Sequence, residues 1–200
     1  MKKINIKEIV ENLVDTFLYA GKVSLELRKK GLTKEIKSDN TPVSNGDLEV
    51  NKIITKKILN LTPSIPIISE ETSDNKSLKD LNNFWLIDPI DGTYDYINNL
   101  DEFTINAGLI IDKQPAAGLI YAPAKKRMFY SYGNDLAFEL LDGKPIKLNH
   151  TKKFNKDEIK FVSYSNKIKP EIEKIHKKLN VKKLIKMKSS LKFCVIASGE

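Results

Sequence analysis

Cysteine, arginine and long apolar runs are scarce in this chain, and each shortage excludes a class of protein. One cysteine among 200 residues, Cys194, excludes an internal disulfide framework and fits a reducing cytoplasm. No uncharged apolar run approaches the roughly 18 residues that a membrane helix requires. Near the N-terminus, Glu8, Glu11 and Asp15 interrupt the apolar pattern, which rules out the apolar core of a signal peptide. We therefore expect a cytoplasmic protein without a membrane span.

The charge of the chain is unbalanced. Its formal net charge is +8, nearly all of it from lysine. Such an excess is usually a solvated surface, and the alternative is an electric field that attracts nucleic acid or small phosphates. Arginine is scarce and the aromatic residues are not interleaved with the lysines, so recognition of RNA or DNA gains little support. We expect no nucleic-acid partner, and the oligomeric state stays open.

Hydrophobic periodicity divides the chain into two parts. Three- and four-residue spacing predicts a helix over residues 6–30, and a loop at 38–47 leads to a second helix over 47–61. Short apolar runs with hairpin-length gaps then predict an antiparallel meander. Beyond about residue 145, strands and helices alternate, which indicates a parallel element. We predict an N-terminal α+β domain over 1–148 that carries the metal site and an incomplete C-terminal α/β domain over 149–200. The predicted strands are 66–69, 84–88, 104–111, 115–122, 127–132, 136–141, 160–165 and 183–187. The predicted helices that follow residue 145 are 169–179 and 189–198.

Two acidic segments stand out against this pattern. The stretch FWLIDPIDGTYDYI (84–97) ends an apolar strand on Asp88 and Asp91, and upstream ISEE ends another on Glu70 and Glu71. Asp-Pro and Asp-Gly also make turns, so the first stretch has an ordinary explanation. If the two strands are neighbours, however, their carboxylates repel unless a cation lies between them. With no histidine or cysteine nearby, oxygen ligands favour Mg²⁺ over zinc.

The residues around Asp91 fit a phosphate site. Pro89 fixes the backbone so that the Ile90 carbonyl could serve as a further oxygen ligand, and Gly92 allows a close approach to a ligand. The amides of Gly92 and Thr93 open a short helix whose N-terminus favours a phosphate, and the Thr93 hydroxyl could hydrogen-bond an attacking water. Metal ions beside a phosphate cradle indicate in-line hydrolysis of a phosphate ester.

Three segments in order, DNTPVSNGD, ISEE and WLIDPIDGT, resemble the inositol monophosphatase superfamily of Mg²⁺-dependent phosphatases, over about Ala20 to Glu200. The resemblance implies a layered α-β-α-β sugar-phosphatase fold of the α+β class and Mg²⁺ as cofactor. It also implies that Asp47 and Thr93 orient and deprotonate the water. The implied metal ligands are Glu70, Asp88, Asp91 and the Ile90 carbonyl, and the implied substrate-binding residues are Glu70, Ile90, Asp91, Gly92, Thr93, Ser189 and Lys192.

Two further passages, DEFTINAGLI and SSLKFC, resemble the 3'(2'),5'-bisphosphate nucleotidase branch of that superfamily. The resemblance implies removal of the 3'-phosphate of adenosine 3',5'-bisphosphate, with Ser189 and Lys192 on the nucleotide's phosphate. Taken alone, Ser189 reads equally well as a helix N-cap and Lys192 as an exposed helical lysine. The alternatives are an inositol or other sugar monophosphate as substrate, or a non-catalytic basic protein that binds nucleotides or RNA on a degenerate fold.

One family element is missing. The superfamily's second signature, a Trp-Asp pair on a later helix, supplies another metal ligand, whereas the only tryptophan here, Trp85, belongs to the first motif. The chain also stops at Glu200 on an apolar helix. We therefore expect a C-terminally truncated chain that is inactive or nearly so by itself.

Overall fold

The computed structural model describes residues 5–37, 40–72, 81–148, 159–165 and 167–200. Two long helices come first, α1 (Ile6–Lys30) and α2 (Asn45–Leu61), and they pack on each other and on the sheet. The apolar stripe predicted for α1 is buried, with Val10, Leu13 and Phe17 fully covered. Among the described helices, none combines the length and apolar character needed to cross a bilayer.

A seven-stranded sheet forms the centre of the molecule. Its strands lie in chain order, and all neighbours pair antiparallel except the first two, which are parallel. The predicted meander is therefore correct from the second of these strands onward. The strands are β3 (Ile67–Ser69), β4 (Phe84–Asp91), β5 (Thr104–Ile111), β6 (Gln114–Ala122), β7 (Arg127–Ser131), β8 (Ala137–Leu141) and β9 (Lys144–Lys147).

The C-terminal part contains two parallel strands, β10 (Lys160–Ser163) and β11 (Lys183–Lys186), with the helix α4 (Pro170–Leu179) between them. This is the parallel element predicted from the sequence. The last helix, α5 (Leu191–Ser198), packs on the large sheet, where Cys194 and Val195 join a buried cluster with Ala122 and Phe129. The predicted boundary between residues 148 and 149 adjoins residues outside the described part of the chain, so the domain division stays a prediction.

Side-chain alternation gives the large sheet two covered faces. On β7, Met128 and Tyr130 belong to the main core, whereas Phe129 between them belongs to the cluster under α5. The main core also holds the fully buried Trp85, whose ring nitrogen donates to Thr62 at 3.1 Å. Helices therefore cover both faces of the sheet, which is the layered arrangement predicted from the sequence.

Three short strands were not predicted. The predicted loop at 38–47 is partly wrong, because β2 (Pro42–Ser44) pairs with β1 (Lys34–Ile36) and α2 begins at Asn45. The third is β9. None of the three has an alternating apolar pattern, and β1 and β9 are fully exposed. Partner strands therefore decide β1 and β9, whereas β2 also buries Val43 and Ser44.

Arg127 ties three elements together. Its guanidinium donates to both carboxylate oxygens of Glu139 on β8, at 2.7 and 3.1 Å, and to Glu200 just after α5. The Glu139 side chain is only 8% exposed, so it has little access to water. The arginine thus neutralises a buried carboxylate while it holds the end of α5 against the sheet.

Replacing Arg127 by methionine should destabilise the protein, because Glu139 then remains buried without a cation. We expect a loss of about 1–3 kcal/mol, which lowers the melting temperature by about 3–10 °C in a domain of this size. Circular dichroism melts of R127M and of K125M, which alters a neighbouring lysine without a described ion pair, measure the difference. Equal melting temperatures would contradict the assigned role.

Candidate metal and phosphate site

The two acidic segments end at the same edge of the sheet. Because β3 and β4 are parallel and adjacent, their carboxyl ends meet, and the Glu70 amide donates to the Ile87 carbonyl at 3.1 Å. The pairing of β4 with β5 shifts in register between Asp88 and Asp91, so the strand is irregular at the carboxylates themselves. Glu70 and Asp88 therefore lie at adjacent strand ends, and the role of Glu70, Asp88 and Asp91 as metal ligands stays a prediction.

Asp88 lies at the electrostatic centre of this edge. Burial raises the pKa of its carboxyl to about 8, and the negative charges of Glu70 and Asp91 add to the rise. Its Oδ1 is buried and has no hydrogen-bond partner among the described residues. A buried carboxylate oxygen without a partner, surrounded by like charges, is the environment that a divalent cation stabilises.

The space beside Asp88 can accept a ligand. A cleft of about 440 Å³ is lined by polar groups that include Lys37, Glu70, Asp88 and Asn106. Among the described residues, no three acidic, histidine or cysteine side chains already form a metal-ligand set. Coulombic repulsion acts over longer distances than metal–oxygen bonds of about 2.1 Å, so the carboxylates can influence one another without being in ligating positions.

Lys37 pairs with both glutamates at the end of β3. The carboxylates at the ends of β3 and β4, Glu70, Glu71, Asp88 and Asp91, are called the acidic corner below. The Lys37 ammonium lies 2.9 Å from Glu71 and 3.6 Å from Glu70, so a side-chain cation already pairs with this corner. The Glu71 side chain is 4% exposed and the Glu70 side chain 48%, which leaves Glu70 free to turn toward the cleft. The donor set is oxygen-only and suits a hard cation, with Lys37 as its competitor for Glu70.

Asp47 and Thr93 form a connected pair beside the acidic corner. Asp47 is 1% exposed, and its Oδ2 accepts from the Ser44 amide at 2.9 Å and the Ser44 hydroxyl at 2.6 Å in the capping box of α2. Burial raises its pKa, although the Ser44 donors oppose the rise. Its Oδ1 lies 3.3 Å from the Thr93 hydroxyl, which is also 3.0 Å from the Ile90 carbonyl. Asp47 therefore reaches the site through Thr93.

Gly92 provides the turn between the carboxylates and the short helix α3 (Thr93–Ile97). Its φ of 96° lies in the left-handed region, and a side chain there would approach the Glu102 carbonyl to 2.8 Å. Both facts favour glycine. The Thr93 hydroxyl and the backbone of this turn are thereby held at the edge where Asp88 and Asp91 lie.

Ser189 and Lys192 lie on the segment that enters α5. Ser189 is buried with a φ of 52°, and its hydroxyl has no partner among the described residues. Lys192 donates to the Ser189 carbonyl at 2.6 Å, so its ammonium is turned back onto its own turn. The helix begins at Leu191 with Ser190 as its N-cap position, so the interpretation of Ser189 as the N-cap is wrong.

Sequence reasoning missed four polar residues at the site. Each contacts a part of the chain that is distant in sequence. Of the four, only Asn106 could have been found from the sequence, because it pairs with Asp88 across neighbouring strands. Ser190 donates to Asp91 at 2.7 Å, and Lys188 pairs with the buried Asp95 at 2.7 Å. The missed residues are Lys37, Asn106, Lys188 and Ser190.

Comparison with known proteins agrees with the family resemblance found in the sequence. The model of the inositol monophosphatase family matches residues 5–200. The 3'(2'),5'-bisphosphate nucleotidase CysQ of Buchnera aphidicola is 34% identical, over the whole of this chain and 78% of that protein. The protein of the same name from Aggregatibacter actinomycetemcomitans is 33% identical, over 70% of this chain and 53% of that protein.

A solved structure shares the fold. The crystal structure of an IMPase/NADP phosphatase complexed with Mg²⁺ and phosphate superposes with a TM-score of 0.75, covering 97% of this chain and 72% of that chain at 16% identity. Identity at that level shows the fold alone. The predicted α+β fold of this family is confirmed by the match.

Replacing Asp88 by asparagine tests the electrostatics of the site without a substrate. Because the folded-state pKa of Asp88 is raised to about 8, the fold favours the neutral acid, and the metal-free protein loses stability as the pH rises from near 4 toward 8. Asparagine cannot ionise, so D88N should raise the metal-free melting temperature at pH 7 by at least about 3 °C. Thermal melts with and without Mg²⁺ measure this.

The same variant should lose the stabilisation that Mg²⁺ gives to the unaltered protein. The exposed Asp135 is the control, since D135N removes one negative charge far from the acidic corner. A lower metal-free melting temperature for D88N than for D135N would show that Asp88 is not strained by its neighbours.

Proposed function

The chain belongs to the inositol monophosphatase family, and from that premise we propose that the protein is a Mg²⁺-dependent phosphatase that removes the 3'-phosphate of adenosine 3',5'-bisphosphate. The observation that carries the proposal is the meeting of Glu70, Asp88 and Asp91 with the Asp47–Thr93 pair at one sheet edge. The aligned parts cover between 49% and 78% of the first three relatives, so the activity is proposed for the whole protein.

Glu70, Asp88, Asp91 and the Ile90 carbonyl would hold the cation. A Mg²⁺ ion held there would lower the pKa of a coordinated water and would stabilise charge on the leaving oxygen. The unpartnered Asp88 Oδ1 and the lack of histidine and cysteine among the residues that line the cleft support this hard ion. The presence of Mg²⁺ in a structural neighbour agrees with the proposal.

Thr93 and Asp47 would handle the proton of the attacking water. The Thr93 hydroxyl can accept a hydrogen bond from that water while it donates its own hydrogen to Asp47 Oδ1, 3.3 Å away. Asp47 is held by Ser44 and nearly inaccessible to solvent, so the Thr93 hydroxyl is its link to the attacking water. The raised pKa of Asp47 makes it a better proton acceptor than an exposed aspartate.

The distribution of charge supports a substrate with more than one phosphate. Residues 159–200 contain eleven lysines and three glutamates. Since the whole chain has 34 basic and 26 acidic residues, the remainder balances at 23 of each. The entire net charge of +8 therefore lies on the part of the chain that carries Ser189 and Lys192. A bisphosphate gains more from this field than a monophosphate does.

The two alternatives make different demands. An inositol or other sugar monophosphate needs the acidic edge but not Ser189 or Lys192. A non-catalytic basic protein that binds nucleotides or RNA needs neither Asp47 nor Thr93 in contact, and their pairing in the structure favours the enzyme. The names of the relatives favour the nucleotide over the sugar. The cytoplasmic location stays a prediction.

Phosphate release by the product of the complete gene tests the activity. With Mg²⁺ we expect kcat/KM for adenosine 3',5'-bisphosphate to exceed that for inositol monophosphate, and no turnover after chelation.

Thr93→Val should lower kcat by about 100-fold or more, since it removes the hydroxyl that links the water to Asp47. The control is Thr55→Val, whose hydroxyl donates to the Asn51 and Lys52 carbonyls within α2.

The two substrates separate the alternatives. Turnover of the sugar phosphate alone would leave a phosphatase with the other substrate class. Nucleotide binding that D88N leaves unchanged, without release of phosphate from either compound, would favour the non-catalytic protein.

Ionic strength should reveal the one-sided charge. We expect kcat/KM for the bisphosphate to fall more steeply with added salt than kcat/KM for adenosine 3'-monophosphate, because screening removes more attraction from the larger charge.

A triple change to glutamine on the exposed face of α4, at Lys174, Lys177 and Lys178, should lower kcat/KM at low salt by about 2- to 5-fold. The same change on α2, at Lys52, Lys56 and Lys57, is the matched control. Equal losses in both triple variants would contradict steering by the C-terminal part.

A further inference from the structure

The segment 187–192, here called the clasp, contacts the segment from Asp91 to Glu102, here called the metal loop. Three contacts join the two segments. The Lys188 amide donates to Glu102 at 3.0 Å, the Lys188 ammonium donates to Asp95 at 2.7 Å, and the Ser190 hydroxyl donates to Asp91 at 2.7 Å. The partners are 86 to 99 residues apart in sequence, so the clasp joins the C-terminal part of the chain to the metal loop.

Ser190 fixes the orientation of one carboxylate. Its hydroxyl binds Asp91 Oδ2, which the Thr104 hydroxyl approaches less closely, at 3.4 Å. Both of these hydroxyls bind Oδ2, and neither binds Oδ1. One oxygen is thus held by the protein and the other is available to a cation. Carboxylate ligands are commonly oriented in this way by hydrogen bonds from neighbouring side chains.

Lys188 in turn fixes the position of Ser190. The Asp95 side chain is 5% exposed and lies on α3, directly after the turn at Gly92 and Thr93. Its carboxylate forms an ion pair with the Lys188 ammonium. Between Lys188 and Ser190 the backbone passes through Ser189, whose φ of 52° is unfavourable for a residue with a side chain. The contacts of Lys188 on one side and Ser190 on the other hold this bend against the metal loop.

We propose that Ser190 and Lys188 are positioning residues of the metal site: Ser190 orients Asp91 for the cation, and Lys188 holds Ser190 in place through Asp95 and Glu102. The inference rests on the proposed function, because it takes Asp91 as a metal ligand. It adds that cation affinity depends on the C-terminal segment, although that segment contributes no carboxylate of its own to the site.

The affinity of the protein for Mg²⁺, measured by isothermal titration calorimetry without substrate, tests the inference. Ser190→Ala should raise the Mg²⁺ dissociation constant about 10-fold, and Ser190→Thr, which keeps the hydroxyl, should restore it. Lys188→Met should raise it in the same direction by a smaller factor, because Ser190 itself remains. Matched controls are Ser198→Ala on α5, whose hydroxyl binds the Val195 carbonyl and the Glu200 carboxylate, and Lys186→Met on β11.

The outcomes are separable. If Ser190→Ala lowers the melting temperature but binds Mg²⁺ as tightly as the unaltered protein, the hydroxyl is structural and the inference is overturned. If Ser190→Ala does not fold, the comparison of Lys188→Met with Lys186→Met decides, and equal Mg²⁺ affinities overturn the inference. If the unaltered protein binds no Mg²⁺, the proposed function fails and the inference fails with it, whereas failure of the inference alone leaves that binding intact.

Discussion

Repulsion between carboxylates at the junction of β3 and β4 is the constraint on which the rest of the site depends. A buried acid whose pKa is raised to about 8 by burial and by its neighbours costs the fold free energy at neutral pH. The protein offsets part of this cost with Lys37, which pairs with Glu71 and Glu70, and leaves the Oδ1 atom of Asp88 without a hydrogen-bond partner among the described residues. The acidic corner is therefore kept at the expense of stability, which is typical of a functional site and unusual for a structural one.

The fold supplies this constraint through strand direction. Parallel pairing of β3 and β4 places two carboxyl strand ends together, whereas antiparallel pairing would have separated them by the length of the strand. The remaining antiparallel strands build a rigid support between helices on both faces. Arg127 and the cluster around Cys194 fasten α5 to that support, so the segment with Lys188 and Ser190 lies beside the metal loop.

The charge of the molecule has a matching arrangement. The acidic residues of the site lie on the electrically balanced part of the chain, and the net positive charge lies on residues 159–200. Under the proposed function, a phosphorylated substrate would meet the cation beside Asp91 and lysines on the C-terminal side. Such a division suits an anion that must be held by both parts at once.

Local patterns determined much of this protein. The helix over 6–30, the meander, the parallel pair near the C-terminus, and the family with its metal motif all follow from short runs of sequence, because periodicity and turn chemistry act between near neighbours. The strands β1 and β9 do not, since their residues are exposed and only a partner strand defines them, and β2 has two buried residues in a run too short to form a pattern. Tertiary structure alone decided which side chain meets which carboxylate. Lys37 reaches Glu71 across 34 residues and Ser190 reaches Asp91 across 99, and contacts at such separations leave no trace in local spacing.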